Sequence, residues 1–237
     1  MTFCFQLRCR TLLAAFLLYS AAAQSQSLEK LSASVVTRQV QQGKSVTIKG
    51  DMYYQRNGNM VTHFTYPREV IILANKLGET RIYDPKQNAV LRYQNAMFST
   101  QTTQLAYFLN GNTTDMGLTQ IGYVQDKTYY VQKLLVTEWK LKVADPKAQI
   151  QRIKIVYDKM NPVYMHYAGG DGKLIRKVFY YNYQPIEGRP FPTTSTEIVY
   201  ADKDSSVSKT TYGGFLLNGS ANSPYFNYTI PANAKVH

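Results

Sequence analysis

Apolar and polar residues alternate with a period of two along most of this chain, and turn residues break the alternation at short intervals. The pattern is clear in Val46-Thr47-Ile48-Lys49, Met60 to Tyr66, Gln151 to Ile155 and Pro162 to Tyr167. Successive side chains of a β-strand point to opposite faces, so such a run is a strand with one face buried and one wet. Asn57-Gly58-Asn59, Asp84 to Asn88, Gly169-Gly170-Asp171-Gly172 and Asp202 to Ser206 separate the runs at hairpin spacing. Asn-Gly and Gly-Asp-Gly accept the positive φ that tight hairpins demand. The reading is one mainly β domain, an antiparallel meander of about ten or eleven strands. The 20 tyrosines suit it, being β-favouring side chains with a wide apolar body and a polar tip.

Two stretches depart from the alternation. Thr102 to Asn110 places Leu105, Phe108 and Leu109 at helical spacing, with Gly111 as a stop. Asn112 to Tyr123 follows, punctuated by glycine and carrying Met116, Leu118 and Ile121. This mid-chain segment is either core-packing loop or a lid over an open barrel mouth. Ser27 to Gln42 begins like a helix and continues as a Val-rich strand.

The N-terminus predicts export. Arg8 and Arg10 precede an apolar run from Thr11 to Tyr19, and Ala21-Ala22-Ala23 then Gln24 form an A-x-A site. That reads as a secretory signal peptide over 1–23, leaving a domain over 24–237. The run is too short for the roughly 20 residues of a spanning helix. Cys4 and Cys9 lie ahead of it, not at the cleavage site, so the expected product has no lipid anchor and no cysteine. The formal charge is +12, and the signal holds two arginines and no acid, so about +10 remains. A positive field draws membrane headgroups or acidic proteins. After export nucleic acid is not an expected partner, and the basic residues are spread along the strands, which also suits a plain solvated surface.

Gly50-Asp51-Met52-Tyr53-Tyr54-Gln55-Arg56 is followed by Met60, Phe64, Pro67, Val70-Ile71-Ile72, Gly78 and Ile82-Tyr83-Asp84-Pro85. At the other end, Phe226 to Val236 follows the spacing F-x-x-x-x-P-x-x-A-x-V. In order and spacing these segments resemble the bacterial outer-membrane lipoprotein carrier family (LolA-like), over nearly all of the expected mature chain. The resemblance implies an incompletely closed antiparallel β-barrel of about eleven strands, strongly curved, with a helical lid. It implies a periplasmic, monomeric carrier whose apolar cavity shields lipoprotein acyl chains or free lipid. Its implied partners are an inner-membrane release complex and an outer-membrane acceptor. Carried onto this sequence, it makes Arg56 a latch that bonds the backbone of the lid helix. Met60 becomes an apolar position touching cargo or partner. Met52, Met60, Phe64, Met97, Leu105, Phe108, Leu109, Met116 and Leu118 are the expected lining of cavity and lid, where adaptable methionine is useful.

Nothing in the sequence composes a catalytic or metal site, and no cofactor is expected. His63 and His166 lie on strands without a cysteine, Ser205-Ser206 has no G-x-S-x-G elbow, and Asp202 and Asp204 lack the remaining ligands of a calcium loop. The alternatives to a carrier are an integral outer-membrane β-barrel, or another exported β-sheet protein without a lipid cavity. The end of the chain, Lys235-Val236-His237 beyond a proline, lacks the terminal aromatic strand of such a barrel.

Overall fold

The computed structural model describes residues 28–94, 104–201 and 204–237. The expected signal peptide over 1–23 and the lining position Met97 lie outside them. One 14-stranded sheet carries the chain. In chain order the strands are β1 (Lys30–Gln41), β2 (Lys44–Gln55), β3 (Met60–Tyr66), β4 (Val70–Ala74), β5 (Glu79–Asp84) and β6 (Ala89–Gln94). After helix α1 (Gln104–Asn110) come β7 (Tyr123–Val131), β8 (Leu134–Leu141), β9 (Arg152–Asp158), β10 (Asn161–Ala168), β11 (Leu174–Ile186), β12 (Arg189–Tyr200), β13 (Ser205–Leu217) and β14 (Lys235–Val236).

Strands β1 to β6 form one antiparallel meander and β7 to β13 another. They join where the first strand of one meets the last strand of the other, β1 against β13, with Leu31 opposite Leu217 and Val40 opposite Val207. The sheet is strongly curved and unclosed, with β7 at one end of the strand order and β14 at the other. Strand β14 runs parallel to the edge of β6: Lys235 N–H donates to Asn88 O (2.8 Å) and His237 N–H to Val90 O (3.0 Å). Covering an edge this way removes unpaired backbone groups that would recruit another chain.

The hairpin between β2 and β3 turns at Asn57-Gly58, with Tyr54 opposite Met60 and Met52 opposite Thr62. Gly50 sits at a register shift between these strands, and a Cβ there would lie 2.2 Å from the His63 carbonyl oxygen, so only glycine fits. The ambiguous stretch before β2 is strand from Lys30 to Gln41, and Leu31, Ala33 and Val35 are buried on alternate positions. The count exceeds the expected eleven or so. Strands β7 and β8 occupy Tyr123 to Leu141, where β7 has a register shift between Gln125 and Lys127 and little alternation, and β14 is only two residues long.

Two apolar clusters sit on opposite faces of the sheet. The inner one draws Leu31 and Ala33 of β1, Met52 and Tyr54 of β2, and Trp139, Ile153, Ile155, Tyr157, Met165, Tyr167, Val178, Tyr180 and Phe191 of β8 to β12 around α1. Residues from both meanders meet there because the sheet wraps around it. The outer cluster gathers Val61, Ile71, Leu73, Tyr83 and Val90 under the C-terminal segment, through Tyr225, Tyr228 and Ile230. Tyr225 stacks on Tyr53 (5.2 Å between ring centroids) and on His63 (4.4 Å). The Tyr83 hydroxyl donates to Asn88 Oδ1 (3.0 Å), and Asn88 Nδ2 donates to the carbonyl of Asn233 (3.2 Å). The Tyr83-Asp84-Pro85 hairpin and the closing segment, far apart in sequence, therefore touch.

Candidate functional site: a lidded inner face

The segment from 104 to 122 lies against the inner face. Helix α1 ends at Gly111, whose φ of +72° lets the chain turn away: Gly111 N–H donates to Phe108 O (3.2 Å) and Asn112 N–H to Tyr107 O (2.8 Å). This pair is the Schellman pattern, and it leaves the carbonyl of Leu109 without a backbone donor. Arg189 takes it, with Nη1 at 2.6 Å from Leu109 O. Arg189 opens β12, directly after the turn Glu187-Gly188, where both residues have positive φ (+49° and +71°). A cation at the C-terminal end of a helix also meets the negative end of its dipole.

Beyond the helix, Asp115 organises the loop. Its carboxylate accepts from Gly117 N–H (3.0 Å) and Thr119 N–H (3.3 Å). Burial presses its pKa upward, but the hydrogen bonds from Thr119 and Gly117 outweigh that and hold it below the usual carboxylate range. Tyr157 of β9 donates its hydroxyl to Thr114 O, fastening loop to sheet. Gly117 (φ +73°) lies so close to Tyr107 of α1 that a Cβ there would meet the Tyr107 hydroxyl at 1.8 Å.

Phe108, Leu109, Met116, Leu118 and Met52 are buried together, with Leu105 and Met60 packed at the margin. Phe108 packs edge-on against Tyr180 (5.1 Å) and Phe191 (6.2 Å), and such pairs add roughly 0.5–1.5 kcal/mol beyond their buried area. Met165 sits below, its sulfur 3.8 Å from the hydroxyls of both Tyr167 and Tyr180. A cavity of about 50 Å³ remains beneath α1, lined by Leu105, Phe108, Tyr180, Phe191, Pro192, Ser195 and Tyr212.

The same inner face continues over β3 to β5, where the register places Phe64, Val70, Ile72 and Ile82 side by side. These four are half-buried, and Leu91 beside Ile82 is 42% exposed. Phe64 thus lies on the inner face but away from the lid residues.

Arg56 stands elsewhere. Its guanidinium is 2.7 Å from Glu29 Oε1 at the exposed entry to β1, and its backbone N–H donates to Glu29 O (2.9 Å). Sequence reasoning did not single out Arg189. Glu187-Gly188 just ahead of it is a turn signal that was not read, and the contact of Arg189 with Leu109 spans 80 residues and leaves no local trace. Among the described residues no group of three or more His, Cys, Asp or Glu side chains is placed to hold a metal ion. No helix among them is long and apolar enough to cross a membrane. His63 pairs with Glu69 (2.8 Å) beneath Tyr225, on the outer face.

No protein-family model matches the sequence, and no curated protein matches it. Solved structures do. A LolA superfamily protein from Nitrosomonas europaea superposes with a TM-score of 0.56 at 13% identity, covering 81% of this chain and 87% of that one. A DUF1329 family protein from Desulfovibrio piger gives 0.56 at 14% identity, covering 86% and 91%. An outer membrane lipoprotein-sorting protein domain from Vibrio parahaemolyticus gives 0.56 at 12% identity, covering 84% and 89%. At these identities the likeness concerns the backbone, and what it shows is that this chain has a LolA-like fold.

Proposed function

We propose that the protein is a periplasmic carrier that shields the acyl chains of a lipoprotein, or of free lipid, on its inner face and passes them to an outer-membrane acceptor. The observation that carries this reading is a continuous apolar inner face, half of it plugged by a polar-clamped lid and half of it open at Phe64, Ile72, Ile82 and Leu91. Exposing acyl chains to water costs about 0.8 kcal/mol per CH₂, so a soluble carrier must cover them. A space of about 50 Å³ is too small for an acyl chain. Loading therefore displaces α1 and its loop, whose Phe108, Leu109, Met116 and Leu118 occupy the face while it is empty. In this reading the lid substitutes for cargo, and the methionines Met52, Met60 and Met165 adapt to either. A cleaved leader over 1–23 would deliver the chain to the periplasm.

The arrangement speaks against an integral outer-membrane barrel. Such a barrel closes its sheet and turns apolar side chains outward. Here the sheet is open and the large apolar cluster lies inside.

Native mass spectrometry of the exported protein, with lipid extraction, tests the proposal, together with titration of a fluorescent acyl probe. Bound lipid and saturable probe binding, weakened by Phe64→Gln and Ile82→Gln, are expected. Absence of lipid and of probe binding, even in a variant with a loosened lid, would overturn it.

A further inference from the structure

The outer face of β1, β2 and β11 to β13 carries a charge arrangement that folding alone does not favour. Arg38 of β1 is directly opposite Lys209 of β13, and like charges facing across strands destabilise a sheet. Lys49 of β2 is opposite Val36, two residues along the same face of β1. Lys177 of β11 lies opposite Ile198, which faces Val207 and then Val40. Among the described residues none of these four cations has a carboxylate within ion-pair distance. The same face holds few acids: Asp51 of β2 lies two residues from Lys49 but not within ion-pair distance of it, and Glu138, further round on β8, is held by Lys154 (3.1 Å). Burial first, and then the nearby charges of Lys154 and Lys177 against that of Glu138, push the pKa of His166 on this face down.

Three of the ammonium groups rest over tyrosine rings: Lys209 over Tyr181 (5.8 Å), Lys177 over Tyr200 (5.4 Å) and Lys49 over Tyr66 (5.9 Å). Between the charges stand exposed apolar side chains: Val40 at 42%, Val36 at 38%, Val207 and Phe179 at 37%. The C-terminal segment covers the outer face only further along, over Tyr53 and β3 to β6.

We propose that this face docks onto the anionic headgroups of a phospholipid membrane. The cations do not converge on a pocket. They are spread over five adjacent strands, roughly 20 Å at 4.8 Å per strand. A fixed anion would need converging donors, whereas a membrane offers mobile anions at any spacing. The valines and Phe179 between the cations match the interfacial zone, where charge and hydrocarbon meet within a few ångströms. An acidic protein would satisfy the charges but would need its own apolar residues in register with these.

Flotation with vesicles tests this: phosphatidylcholine with phosphatidylglycerol, against phosphatidylcholine alone. The protein should bind the anionic vesicles and release them as salt rises and screening shortens. Neutralising Arg38→Gln and Lys209→Gln together should weaken binding about fivefold per charge, roughly 25-fold for the pair, the equivalent of about 1 kcal/mol each. Their unfolding midpoint should stay equal or rise, since a like-charge pair is removed. The same charge removed elsewhere, by Lys86→Gln with Lys142→Gln, should leave binding nearly unchanged. Equal loss in both double variants would reduce the effect to net charge and overturn the proposal. So would failure to prefer anionic vesicles; if the protein instead binds soluble polyglutamate through these cations, the face belongs to an acidic protein.

Discussion

Replacing Arg189 by leucine should loosen the lid without unfolding the sheet. The guanidinium donates to Leu109 O at 2.6 Å, the carbonyl that the Gly111 turn leaves without a backbone donor. Charge-assisted bonds of this kind contribute about 1.5–3 kcal/mol, and the exposed position of Arg189 argues for the lower end. A loss of about 1.5 kcal/mol shifts an open–closed equilibrium roughly tenfold. Amide hydrogen exchange over residues 104–122 reads that equilibrium directly, and a hydrophobic dye reads the uncovered face. Exchange in this segment should quicken about tenfold and dye binding should rise, while amides of β9 to β11 hardly change. Arg56→Leu is the decisive comparison. It removes the contact with Glu29, both partners well exposed, and should cost less than about 1 kcal/mol. The resemblance to lipoprotein carriers implies instead that Arg56 is the latch. If Arg56→Leu quickens exchange over 104–122 and Arg189→Leu does not, the reasoning from the Leu109 bond is refuted. If neither does, apolar packing alone holds the lid.

Three further outcomes follow from the same geometry. Gly117→Ala would drive a methyl into Tyr107 at a position with φ +73°, so it should part the loop from α1 and raise dye binding at least as much as Arg189→Leu. Gly50→Ala puts a Cβ 2.2 Å from the backbone oxygen of His63, and since backbone cannot rotate aside it should cost about 3 kcal/mol or more, seen as a midpoint lowered by roughly 10 °C or as insoluble protein. Burial raises Tyr157 and Tyr212 to about 12. The unfolded chain loses these protons near pH 10, so their contribution is intact below pH 10 and drains away as pH climbs toward 12. Urea midpoints should fall over that window by the equivalent of about 2 to 3 kcal/mol per tyrosine, and Tyr212→Phe should flatten the decline.

The sheet was legible because its information is local. Asn57-Gly58 specifies one hairpin and alternation specifies the faces, so Tyr54 opposite Met60 follows from a dozen consecutive residues. The helix was legible from Leu105, Phe108 and Leu109 with Gly111 behind them, and the structure stops it at Asn110. What the sequence could not display is contact made across long loops. The pairing of β1 with β13 brings residues about 180 positions apart side by side, and nothing in Val35 or Tyr212 announces the other. Arg189 has the same problem: its role depends on a carbonyl 80 residues away that the helix's own ending leaves free. A sequence motif can place an arginine next to a hairpin, as it does Arg56, but which carbonyl an arginine reaches is decided by curvature of the whole sheet. Here that curvature carries the β11–β12 turn to the end of α1 and the β2–β3 turn to the start of β1. The latch is therefore expected to follow the fold's geometry, with any arginine able to reach Leu109 O serving it, and Arg189→Lys should restore part of what Arg189→Leu removes.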